Sequence, residues 1–149
     1  MKELKNSINA RGRFYMEVQD ADTGRVLSVL DEPNKVVTLG HTNVARLLGG
    51  DPAGKLINKI GFGTNAAAPA LTDTGLTGSY SRPIDSVIYP AANSVQFNWS
   101  LNADEANGIT IRELGLLNDA GSLFARKVRS DIVKTASVRI VGSWTITIN

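Results

Sequence analysis

Few residues in this chain have the type and spacing to do chemistry. Gly49-Gly50-Asp51-Pro52-Ala53-Gly54-Lys55 carries two glycines and a lysine at the spacing of a loop that cradles nucleotide phosphates. In that role a hydroxyl residue must follow the lysine to hold magnesium, and here Leu56 follows. The order of elements is also reversed, because a helix candidate precedes the loop and a strand candidate follows it. The stretch therefore reads as a glycine-rich turn. His41 is the only histidine, so no pair of imidazoles can bind zinc, and no serine constellation points to it. It reads as a loop or capping residue near a helix start. Asp20 and Asp22 lack the twelve-residue pattern of alternating ligands that calcium needs, and they fit a hairpin turn better. Asp104 and Glu105 are adjacent, so in a loop they need not face a common substrate as a glycosidase pair must. With no cysteine there is no thiolate nucleophile, thiolate metal site or disulfide. The expectation is a chain with no catalytic residue, no cofactor and no metal.

Glu113 stands apart from these. It lies among Ile109, Ile111, Leu114, Leu116 and Leu117, where a carboxylate is costly unless it is paired or hydrogen-bonded. The expectation is a buried structural carboxylate bound to an arginine or to backbone amides, fixing strand register or an interface.

The elements around Glu113 are β-strands. Two apolar runs, Ile109–Leu117 and Ser122–Val128, flank Asn118-Asp119-Ala120-Gly121, a hairpin turn signal. Val95, Phe97, Trp99 and Leu101 share one face of a further strand. Val138, Ile140, Trp144, Ile146 and Ile148 share another face together with Gly142. These four strands are expected to form an antiparallel meander. Upstream, Phe14 to Asp20 alternates as a half-buried strand. A turn at Asp22-Thr23-Gly24 returns it as Arg25 to Leu30, and Asp31-Glu32-Pro33-Asn34 is expected to break that arm. After a short run from Lys35 to Leu39, the one good helix candidate is Asn43 to Leu48. Val44, Leu47 and Leu48 form its apolar stripe and Gly49 its C-terminal cap. Leu56 to Phe62 is a strand, and Thr64 to Thr77 a long surface loop with room for one helical turn. Tyr80 to Tyr89 is an extended stretch confined to an edge by Pro83.

Seven or eight strands and one short helix predict an all-β fold: an antiparallel, jelly-roll-like β-sandwich with a core about 10 Å thick. The chain has 149 residues, 42% hydrophobic and 20% charged, which suits one globular domain. Truncating Trp99 or Trp144 to Ala should cost about 3–5 kcal/mol. No apolar run reaches the roughly 18 residues of a membrane span, and the first residues lack the apolar stretch of a signal peptide. A net charge of +2 without a clustered basic patch argues against direct contact with nucleic acid. The nearest cluster is residues 1–13, where Lys2, Lys5, Arg11 and Arg13 against Glu3 give four minus one, net +3. The division expected is a basic N-terminal arm over residues 1–13, docking on a partner subunit, and one sandwich domain over residues 14–149.

The run Asn107-Gly108-Ile109-Thr110-Ile111-Arg112-Glu113-Leu114-Gly115-Leu116, followed by Gly121-Ser122-Leu123-Phe124-Ala125-Arg126, resembles small β-rich structural proteins of tailed-bacteriophage virions. The resemblance continues in Ile132-Val133-Lys134-Thr135 and Gly142-Ser143-Trp144-Thr145-Ile146-Thr147-Ile148. Upstream it takes in the Thr23-Gly24 hairpin, Asn34-Lys35-Val36-Val37 and Ile60-Gly61-Phe62-Gly63-Thr64, so it covers the chain from about Gly12 onward. These proteins are of the tail-fibre, collar, baseplate-adaptor or capsid-decoration type. The resemblance implies non-enzymatic assembly into a symmetric particle, with other virion proteins as partners; a symmetric homo-oligomer, with the N-terminal arm in contact outside its own sandwich, is expected as the working state. It also implies a chain made in the host cytoplasm and located in the virion. The length, with no fibre shaft or receptor-binding tip, fits an adaptor, collar or decorating subunit. The competing expectation is a carbohydrate- or receptor-binding sandwich, which would need exposed aromatics around a loop; Tyr80, Tyr89 and Trp99 are the candidates.

Overall fold

The computed structural model describes residues 9–149. Nine strands and one helix follow in the order β1 (Ala10–Asp20), β2 (Val26–Val36), α1 (Thr38–Gly49), β3 (Ile57–Gly63), β4 (Tyr80–Pro83), β5 (Ser86–Ala91), β6 (Ser94–Leu101), β7 (Thr110–Asn118), β8 (Leu123–Val133) and β9 (Val138–Ile148). All pairings are antiparallel, and the strands run β4-β3-β7-β8-β2-β1-β9-β6-β5 across one curled sheet. The fold is an all-β sandwich with one short helix.

The curl has two corners. At the first, β2 pairs with β1 as far as Asn34 and then with β8 through Lys35 and Val36. At the second, only Ile84 and Asp85 separate β4 from β5. Ile84 donates its N–H to Asn58 O on one half, and Asp85 donates to Asn98 O on the other. Strands that switch sheets at corners let two halves face each other and share one core. Phe62 on β3 meets Trp99 on β6 edge-to-face at 5.7 Å. Phe14 on β1 stacks on Trp99 at 5.8 Å and lies edge-on to Trp144 at 4.9 Å. Trp99 and Trp144 are both buried, and the Trp144 indole N–H donates to Asn34 Oδ1 at 2.8 Å. Gly142 lies between Met16 and Trp99 across β1, β9 and β6, with the Trp99 ring over it. A Cβ there would stand 2.3 Å from that ring and 2.4 Å from Tyr15 O.

The structure corrects several expectations. The last four strands do not form a meander. β7 and β8 make the expected hairpin, but β6 and β9 pair with each other on the opposite half, and β1 flanks β9. Alternation marks which face of a strand is apolar, not which strand lies beside it. Pro33 does not end the second strand, because it falls where β2 changes partner. The extended stretch from Tyr80 divides into β4 and β5, which form the two opposite edges.

The domain also begins earlier than residue 14. Ala10, Arg11, Gly12 and Arg13 are part of β1 and pair with Ile148, Thr147, Ile146 and Thr145 of β9. The inward positions here are Ala10 and Gly12, too small to register as an apolar face. Helix α1 runs from Thr38 to Gly49, and its C-terminal cap is Gly50, at φ 71°, rather than Gly49. Its expected apolar stripe is only partly inward: Val44 packs against the core, while Leu47 and Leu48 are exposed at 47% and 83%, and Gly40 and Asn43 are its buried residues. No helical turn forms between residues 64 and 79.

Candidate interaction surface

Three polar clusters and one apolar face account for the residues with chemical potential. The first cluster is built on neighbouring strands. Glu113 on β7 is fully buried, and Arg126 on the adjacent β8 is 1% exposed. Glu113 Oε2 accepts from Arg126 Nε at 2.7 Å. Its Oε1 accepts from Thr77 N at 2.7 Å and Asn65 N at 3.3 Å. Arg126 also donates to Asp73 Oδ2 at 3.0 Å and to Asn65 O at 3.2 Å. Gly63 leaves the space this carboxylate occupies, since a Cβ there would stand 2.4 Å from Glu113 Oε1. What the arrangement does is tie the segment from Thr64 to Thr77 to the sheet at three points. Both carboxylate oxygens are committed to donors of this chain.

The second cluster closes the corner near β4. Tyr80 donates to Glu105 Oε2 at 2.6 Å and Arg82 to Glu105 Oε1 at 2.7 Å. Arg82 also pairs with Asp85 at 3.2 Å. Burial pushes the Glu105 carboxyl up, but the Tyr80 hydroxyl, the Asn102 N–H, Arg82 and Lys134 outweigh it and hold it below the ordinary carboxylate value. The third cluster is Lys134, a buried lysine whose Nζ donates to Ala103 O, Asn107 Oδ1 and Thr135 O. Burial lowers its pKa, against the pull of Glu105 and Asp104. It holds the turn between β6 and β7.

The other sequence candidates fall in separate places. Lys2 and Lys5 lie outside the described residues. Arg11 and Arg13 belong to β1, and Arg13 Nε donates to Asp31 Oδ1 at 2.7 Å. Asp20 accepts the N–H groups of Asp22 and Thr23, as a hairpin turn requires. Asn43 pins the segment after α1 by accepting from Lys55 N and donating to Lys55 O. His41 is exposed on α1. Among the described residues, no group of three or more His, Cys, Asp or Glu could hold a metal ion, and no helix is long and apolar enough to cross a membrane. The three aromatics considered for sugar stacking do not converge. Trp99 is core, Tyr80 is half-buried on Glu105, and only Tyr89 stands out, at 76% exposed.

The apolar face lies between α1 and β5. Val44, Leu47, Leu56, Val87, Tyr89 and Phe124 help line a groove of about 450 Å³, which has no charged residue in its wall. Gly40 allows α1 to lie close on β8, because its missing side chain would meet Phe124 O. Leu56 is 63% exposed and Val87 43%. The sequence marked Leu47 and Leu48 as a helix stripe and placed Leu56 and Val87 in strand candidates, without bringing them to one face. One signal was available: Val87, Ile88 and Tyr89 are consecutive apolar residues, which a strand with one buried and one wet face does not need.

Comparison of the chain with known protein families, curated proteins and solved structures finds no match.

Proposed function

We propose that the protein is a non-enzymatic structural component of a tailed-bacteriophage virion, of tail-fibre, collar, baseplate-adaptor or capsid-decoration type, acting through protein–protein contacts. The reading rests on the resemblance carried by Asn107–Leu116 and Gly121–Arg126. The observation that supports assembly is the uncharged groove between α1 and β5, which leaves Leu47, Leu56 and Tyr89 exposed. Exposed apolar side chains gathered into one uncharged groove are a common feature of contact surfaces. The polar clusters support the same reading, because their groups hold loops to strands within the chain. On this reading the chain is made in the host cytoplasm, ends in the virion, and has other virion proteins as neighbours. Following the chain through particle purification on a density gradient tests this. It should band with the particles, and a chain that stays at the top of the gradient refutes the reading.

The carbohydrate-binding alternative keeps one observation in its favour, the exposed Tyr89 ring at the rim of the groove. A glycan array separates the two. Saturable binding that is lost in Tyr89→Ala favours the lectin reading.

A further inference from the structure

We propose that β5 is a homotypic pairing edge: it joins antiparallel to β5 of a second copy of the chain and sets the apolar grooves of the two copies side by side. This deepens the assembly reading above and rests on it.

The two edges of the curled sheet are treated differently. The β4 edge is four residues long and ends in Pro83. It is covered by charge, with Arg82 paired to both Glu105 and Asp85. Short length, proline and charge are the devices that keep an edge from pairing. The β5 edge, Ser86–Ala91, also carries a proline and a register irregularity after Ile88, but unlike β4 it has no charged residue, and all six of its residues are exposed. Pro90 lacks an N–H, so the segment free to pair is Ser86–Tyr89.

A second copy fits this edge for three reasons. The first is symmetry. An antiparallel pair of identical strands is two-fold symmetric, the commonest way for a chain to meet itself. With Ile88 on the two-fold axis, Val87 of one copy stands opposite Tyr89 of the other. Both line the groove, so the paired strands present one continuous apolar face. The second is charge. The groove wall carries none, so a charged partner would gain nothing there, whereas the same face on another copy is neutral and apolar. The third is exposure. Leu47, Leu56, Val87 and Tyr89 line the groove and are between 43% and 76% exposed, so their apolar surface is open to a partner.

Sedimentation of the full chain over a wide concentration range tests the proposal, beside Ile88→Lys and Leu56→Lys. Ile88→Lys sets like charges opposite each other on the two-fold axis, and Leu56→Lys places a charge in the groove; both sites are already exposed, so the fold should persist. The wild type should form dimers, and each variant should weaken dimerisation at least tenfold while its melting as a monomer is unchanged. A wild type that is monomeric throughout, or variants that dimerise like it, overturns the proposal. So does a chain lacking residues 1–8 that dimerises when the full chain does not, because the groove would then be covered from within. A monomer that still bands with particles removes this proposal and leaves the assembly reading standing; a dimer that does not band with them does the reverse.

Discussion

Replacing Glu113 by Ala tests whether the buried ion pair holds the 64–79 segment. The side chain is fully buried and accepts three hydrogen bonds, from Arg126 Nε, Thr77 N and Asn65 N. Its removal leaves two backbone donors without this acceptor and strips Arg126 of its shortest partner. Breaking a buried pair from one side costs about 3–5 kcal/mol. Arg126 keeps Asp73 and Asn65 O, which prevents a larger loss. Total stability is on the order of 5–15 kcal/mol, so this is a large share of it. For a chain of this size the loss corresponds to a fall in melting temperature of about 6–20 °C. Glu113→Gln keeps the Oε1 acceptor and the volume and should lose less. Urea unfolding gives the energies, and hydrogen exchange gives the site-specific readout. The Asn65 and Thr77 amides should lose protection in Glu113→Ala well before the β1–β9 amides do. A variant that melts like the wild type, with both amides still protected, would refute the reasoning.

Three further outcomes are expected. Gly142→Ala forces a Cβ against the Trp99 ring and Tyr15 O, and should destabilise by about 1–3 kcal/mol or more in urea unfolding; a neutral result would show that β9 can shift freely. Glu105 has a folded-state pKa below its unfolded value, so its contribution is present above the unfolded pKa and lost as pH falls through the folded one. Stability measured from about pH 6 to about pH 3 should therefore fall less steeply in Glu105→Gln than in the wild type, and equal slopes would count against the corner cluster. Deleting residues 1–13 removes four paired residues of β1 and should prevent stable folding, seen by circular dichroism, whereas deleting residues 1–8 should leave the fold intact and reduce incorporation into particles.

The sequence was legible where each strand buried one face of large side chains. Phe14, Met16 and Val18, Phe97, Trp99 and Leu101, and Ile140, Trp144 and Ile146 all point inward as their alternation predicts. Glu113 could be singled out because a carboxylate among leucines and isoleucines requires a partner. Which arginine served was not legible, since Arg126 is thirteen residues away and adjacency depends on hairpin register. Strand order was not legible either, because the β6–β9 and β1–β9 pairings join distant segments, and nothing in a period of two encodes a neighbour. The start of β1 was hidden by Ala10 and Gly12, which face inward without an apolar signal. The Val44, Leu47 and Leu48 stripe misled for a physical reason. A helix of twelve residues packed through Gly40 and Asn43 turns part of its apolar face outward, and period alone cannot say which side of a stripe is covered.

Quantitative mass spectrometry of purified particles is the decisive test of the proposed assembly role. Peptides of this chain should appear at a fixed ratio to the other virion proteins from one preparation to the next, and that ratio should fall when Ile88→Lys replaces the wild type. Particles that lack the chain, or carry it at a ratio that varies with washing, would contradict it.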